Sequence, residues 1–129
     1  MIEPMALFPL YVTGKLDAQK TFYETSFGFE TVFFDAGFYL HLHHPGSGAQ
    51  LGFMLPDHPT QPAFLHLRAV ADGMVVTLEV ADVRAAADEA KAMGLTFAMD
   101  YKEEPWGQQH FMVRDPAGLV VDIVGHQAP

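Results

Sequence analysis

His41, His43, His110 and Asp122 each interrupt a run of aliphatic, β-branched or aromatic residues, so each carries a polar group into apolar surroundings. A carboxylate among valines, as Asp122 is in Val120-Val121-Asp122-Ile123-Val124, needs a partner, a proton or a ligand. It could act as a general base or anchor a ligand's amine or hydroxyl. Held by Gln50, a tyrosine hydroxyl or water, it would instead be structural. His41 and His43 form an H-x-H on one strand face, about 7 Å apart. With Asp122 they could build a zinc, iron or nickel site of catalytic type. H-x-H is unspecific by itself, however, and hydrogen-bonding histidines near solvent are the plainer reading.

These side chains must be positioned by strands. Residues 105–124 read as a β-hairpin, because two apolar runs flank Asp115-Pro116-Ala117-Gly118, where proline presets φ and glycine tolerates a positive one. Side chains alternate across a strand, so His110 and Met112 share one face while Phe111 and Val113 share the other. Arg114 and Asp115 are expected to fix the turn.

Along the rest of the chain, strands are expected at residues 5–13, 29–34, 38–43 and 49–55. A helix over 18–27 is capped by Asp17 and stopped by Gly28. Residues 56–73 form a connector whose early prolines argue against a helix and whose stretch 64–67 could be a short edge strand or a flap. The pattern then restarts with a strand at 75–80, a helix over 83–93 capped by Asp82 and stopped by Gly94, a strand at 95–99, and the hairpin. Gly28 and Gly94 lie 66 positions apart, and Pro45 and Pro116 lie 71 apart, which marks a duplication.

The expected architecture is therefore α+β: two tandem βαβββ modules, over about residues 1–55 and 74–126, forming a cupped mixed sheet with the helices on the outer face. Phe38, Leu40, Leu42, Leu51, Phe53, Phe111, Val113, Val121 and Ile123 would face the helices. Tyr39, His41, His43, Gln50, Gly52, Met54, His110, Met112 and Asp122 would line the concave face.

Composition narrows the function. Sixteen acidic against seven basic residues give a net charge of −9, which repels phosphate backbones and anionic lipid. No nucleic-acid or membrane partner is expected. The absence of cysteine removes disulfides, thiolate metal sites and thiol nucleophiles. No leader or membrane span is visible, so a cytoplasmic location is expected. Ser-His-Asp order, a phosphate-binding glycine loop and a dinucleotide fingerprint are all missing.

The chain resembles the vicinal oxygen chelate superfamily of glyoxalases, extradiol dioxygenases, fosfomycin-resistance enzymes and bleomycin-resistance proteins. The resemblance spans nearly the whole chain. In the first module it rests on Leu16-Asp17-Ala18-Gln19-Lys20-Thr21-Phe22-Tyr23 and Gly28-Phe29-Glu30. In the second it rests on Leu78-Glu79-Val80-Ala81-Asp82-Val83, Gly94, Pro105-Trp106-Gly107 and Arg114-Asp115-Pro116-Ala117-Gly118. Metal-dependent members place one ligand on the first and last strand of each module. Carried over, those positions are Leu7 or Phe8, Gly52, Val75 or Met74, and Asp122, of which only Asp122 can bind a metal.

Two functional classes follow. The first, similar to the bleomycin-resistance branch, is a metal-independent protein without a cofactor that binds an aromatic or amine-bearing small molecule through Tyr11, Tyr39, His41, His43, Gln50, Met54, Trp106, His110, Met112 and Asp122. The alternative is a metal-dependent lyase or dioxygenase using a divalent ion on the shifted set His41, His43 and Asp122, or His110. A housekeeping protein without a ligand is a third possibility. The resemblance also implies a homodimer.

Overall fold

The computed structural model describes residues 1–66 and 72–126. Among the described residues eight strands and two α-helices run in the order β1 (Leu10–Val12), α1 (Leu16–Phe27), β2 (Glu30–Asp35), β3 (Tyr39–His43), β4 (Gln50–Met54), β5 (Val75–Glu79), α2 (Val83–Ala92), β6 (Thr96–Glu103), β7 (Gln108–Arg114) and β8 (Val120–His126). The chain divides into two units, Met1–Ala69 and Val70–Pro129. Each contains a four-stranded mixed sheet, ordered β1-β4-β3-β2 in the first and β5-β8-β7-β6 in the second. Both sheets pair their outer strand in parallel with the last strand and otherwise run as an antiparallel meander. The α+β fold class and the tandem βαβββ repeat are thus as expected.

In each unit one helix covers one sheet face. Tyr23 of α1 is fully buried and stacks on Phe53, with ring centroids 5.6 Å apart, above Leu40, Leu42 and Leu51. Val83, Ala87 and Ala90 form the buried stripe of α2, and its sheet buries Phe111, Val113, Val121 and Ile123. Of the residues expected to face the helices only Phe38 remains half-buried, its ring against His58. β8 and the start of α2 approach so closely that a Cβ at Gly125 would lie 2.7 Å from Val83 Cγ2, so only glycine fits there.

Several boundaries differ from expectation, each for a local reason. β1 covers only Leu10–Val12, because Met5 and Leu7 are exposed and Pro9 has no N–H to donate. Helix α1 begins at Leu16 with Lys15 in the N-cap position and no side-chain cap. Asp17 sits inside the first turn, where its charge complements the positive end of the helix dipole. Asp82 does cap α2, accepting from the Ala85 N–H at 3.0 Å. β6 extends to Glu103, well past residue 99, since it remains paired with β7 across two register shifts. Connector residues Ala63–Leu65 form a 3₁₀ turn rather than a strand, with His66 Nε2 bonded to the Gln61 carbonyl at 2.8 Å. Leu67, included in the expected edge strand, lies outside the described residues.

The contrast between the two caps can be measured. Asp82→Ala should lower the unfolding free energy by about 1 kcal/mol in a denaturant titration. Asp17→Ala, which removes only a dipole interaction, should lower it by about 0.5 kcal/mol or less.

Candidate functional site

On each sheet the face opposite the helix carries the polar residues, because helix-facing positions alternate with them along every strand. In the first unit Gly52 of β4 pairs with His41 of β3 and with Leu10 of β1. Tyr39, two residues back along β3, is paired with Met54 but leans diagonally toward Gly52. Its hydroxyl would lie 2.6 Å from a Cβ at position 52. That hydroxyl is bonded to His41 Nδ1 at 2.7 Å, and His41 Nε2 is bonded to Gln50 Oε1 at 2.7 Å. A carbonyl oxygen only accepts, so Nε2 carries the hydrogen and, in the neutral ring, Nδ1 accepts from the Tyr39 hydroxyl. Burial pushes the Tyr39 phenol up from its ordinary value, which keeps it a proton-bearing donor. The edge of Phe8 meets the His41 ring with centroids 4.6 Å apart.

In the second unit Asp122 of β8 pairs with Met112 of β7 and Thr77 of β5. His110 is paired with Val124, again two residues along, and leans diagonally onto Asp122. Its Nδ1 lies 2.9 Å from Oδ1 and 3.2 Å from Oδ2. The other nitrogen, Nε2, lies 3.2 Å from Glu104 Oε2, and Lys102 Nζ lies 3.0 Å from Glu104 Oε1. Carboxylate oxygens accept, so a ring nitrogen bonded to one of them is the donor, and a neutral ring donates through one nitrogen at a time. The hydrogen bond from Lys102 is the main influence holding the Glu104 carboxyl below the usual carboxylate range, aided by His110 and opposed by burial.

The expected residues therefore separate into groups. Tyr39, His41, His43, Gln50 and Met54 share one face in the first unit, and His110, Met112 and Asp122 share one face in the second. Tyr11 does not join them. It pairs with Phe53, contacts its ring edge-on and is buried on the helix-facing side. Trp106 stands 69 % exposed in the β6–β7 turn, its indole N–H donating to Gln108 Oε1 at 2.9 Å. The partner of Asp122 is His110 rather than Gln50 or a tyrosine. Lys102 and Glu104 were not legible as site residues, because nothing in Lys102-Glu103-Glu104-Pro105 tells which carboxylate folds back toward His110. Arg114 and Asp115 hold the hairpin turn: Arg114 Nη1 donates to the Gly118 carbonyl, and Asp115 Oδ1 accepts from the Ala117 and Leu119 N–H groups.

A divalent ion of the kind held by metal-dependent members of this fold finds little here. Leu7, Phe8, Gly52, Met74 and Val75 offer no side-chain donor, and Asp122 is already engaged by His110. Of the shifted set, His41 has both ring nitrogens in hydrogen bonds. Among the described residues no three His, Cys, Asp or Glu side chains gather where they could hold a metal. These residues do not fit a resident cation.

The pairing of His110 with Asp122 has a measurable consequence. His110→Leu strands a largely covered carboxylate and should cost about 1–3 kcal/mol of stability, of which His110→Leu/Asp122→Leu should recover part. A double-mutant cycle by denaturant unfolding checks this, and additive losses would contradict it.

Comparisons with known proteins agree with the topology. The family model of the Glyoxalase/Bleomycin resistance protein/Dioxygenase superfamily matches residues 6–123. No curated protein sequence matches. A glyoxalase/bleomycin resistance protein/dioxygenase from Nocardioides superposes with a TM-score of 0.78 at 19% identity, covering 98% of this chain and 85% of the other. A lactoylglutathione lyase from Agrobacterium tumefaciens gives 0.74 at 22% identity, with 95% of both chains covered. The bleomycin resistance determinant encoded on transposon Tn5 gives 0.68 at 20% identity, covering 97% of this chain and all of its own. At these identities the likeness is one of fold.

Proposed function

The chain belongs to the glyoxalase/bleomycin resistance protein/dioxygenase superfamily, and on that premise we propose that it is a metal-independent small-molecule-binding protein that takes up an aromatic or amine-bearing compound. One observation carries this reading: both fourth-strand positions at which metal-dependent members hold their ion are otherwise occupied. At Gly52 the Tyr39 phenol fills the space of a side chain, and at Asp122 the carboxylate is held by His110. Aromatic and thioether groups on the same faces, from Phe8, Tyr39, Met54 and Met112, suit a planar ligand. The net charge of −9 favours approach of a cation over an anion. The alternative, a lyase or dioxygenase with a divalent ion on His41, His43 and Asp122, would have to break the Tyr39–His41–Gln50 and His110–Asp122 bonds to free its ligands.

Elemental analysis of untagged protein prepared without chelator tests the reading. Transition metal well below stoichiometry is expected, together with a rise in melting temperature on adding basic aromatic compounds that EDTA does not alter. Near-stoichiometric metal, or a ligand response abolished by EDTA, would overturn it.

The same reading includes a homodimer. Edge strand β2 exposes Val32 and Phe33, and Met1, Ile2, Met5 and Leu7 ahead of β1 are exposed as well. Unpaired edges and apolar patches favour association. Sedimentation at micromolar concentration should return twice the chain mass, whereas a monomer mass would exclude the dimer.

A further inference from the structure

In each module the third strand delivers one side chain diagonally onto the fourth-strand position: Tyr39 onto Gly52 and His110 onto Asp122. The two outcomes differ chemically. His110, Asp122, Glu104 and Lys102 satisfy one another as a chain of ionisable groups. The Tyr39–His41–Gln50 chain is open at both ends. The Tyr39 oxygen, having donated its hydrogen to His41, keeps acceptor lone pairs, and among the described residues nothing accepts from the Gln50 amide nitrogen.

We propose that Tyr39, His41 and Gln50 form a hydrogen-bonding subsite for a planar heteroaromatic group bearing a ring N–H donor and a ring carbonyl acceptor, with Gly52 leaving the room in which the Tyr39 phenol occupies the place of a fourth-strand side chain. The subsite deepens the metal-independent binding reading and rests on it.

His41 couples the two ends. With Nε2–H committed to the Gln50 oxygen, Nδ1 takes the phenol hydrogen and leaves the oxygen's lone pairs for a ligand N–H. The Gln50 amide hydrogens are left for a ligand carbonyl. Neither end carries a formal charge, so selection rests on matching donor to acceptor: a ligand presenting the wrong group leaves a desolvated polar atom unpaired. The edge of Phe8 against His41 and the buried Met54 beside Tyr39 supply apolar contact for the ring plane. Position 52 is the steric key, since a Cβ there would stand 2.6 Å from the Tyr39 hydroxyl and 3.3 Å from Cζ. Any larger residue would force the phenol to shift from its present place beside His41.

The test uses two probes, 4-quinolone and N-methyl-4-quinolone, which differ in the N–H donor, with calorimetric affinities for the full chain. Wild type is expected to bind 4-quinolone roughly ten-fold more tightly than its N-methyl analogue, the equivalent of one lost hydrogen bond. Tyr39→Phe should reduce 4-quinolone to the level of the analogue while leaving the analogue unchanged, and Gly52→Ala should do the same without further loss in the Tyr39→Phe/Gly52→Ala pair. In parallel, ¹⁵N NMR of His41 should show the Nε2–H tautomer in wild type and an altered ring signal in both single variants. Should Gly52→Ala fail to fold, the conservative Tyr39→Phe still decides. Equal affinity of the two probes, or no binding of either, overturns the subsite while leaving metal-free binding of other compounds intact. Stoichiometric metal in the same preparation overturns the reading beneath it.

Discussion

The pleat of an antiparallel strand pair brings side chains that are not directly opposite within reach across the diagonal, provided one of them is long or aromatic. Tyr39 and His110 both exploit that reach. Each is paired with the residue two positions beyond its target, Met54 in place of Gly52 and Val124 in place of Asp122. The identity of the target then decides what the contact becomes. Opposite a glycine, the phenol sinks into the space of the missing side chain and turns to a histidine. Opposite an aspartate, the imidazole binds the carboxylate directly.

This arrangement depends on the helix-facing side of each sheet being settled first. Tyr23 stacked on Phe53 anchors the first sheet to its helix, and Phe97 stacked on Phe111 ties β6 to β7 within the second sheet. A slip of one residue would transfer Leu40, Leu42 and Phe53 to the polar face, so burial on one side holds the register on the other. The polar groups are consequently held by hydrogen bonds to one another without having to fix the strands themselves.

Duplication has produced two chemically unlike faces from one topology. The first module's set has no carboxylate, whereas the second concentrates Glu104 and Asp122 around His110, with Lys102 compensating at one end. Mutual satisfaction lowers the cost of placing these charges under partial cover. It also means that a ligand reaching Asp122 competes with an existing bond. Membership of a superfamily whose names span lyases, resistance proteins and dioxygenases is therefore informative about scaffold and silent about reaction, and the side chains on these two faces must supply the rest.

Much of the scaffold was legible in the chain itself. Alternation placed Leu40, Leu42, Phe111, Val113, Val121 and Ile123 in the core, and Gly28 and Asp82 marked the end of one helix and the start of the other, because periodicity and capping are local properties. The errors fell where local pattern competes with tertiary pairing. Polar Asp100 and Lys102 conceal the continuation of β6, the apolar Met5 and Leu7 lie outside β1, and Tyr11 belongs to the core side with Phe53. By itself the sequence determined which positions along β3, β4, β7 and β8 share a strand face; the four ligand positions, of which only Asp122 carries a donor, were added by the family resemblance. Only the folded chain decided that His110 is the partner of Asp122, that Glu104 rather than Glu103 turns back to it, and that Tyr39 covers Gly52. Those contacts run between strands and depend on rotamer, register and turn geometry, none of which is encoded in the spacing of residues along one strand.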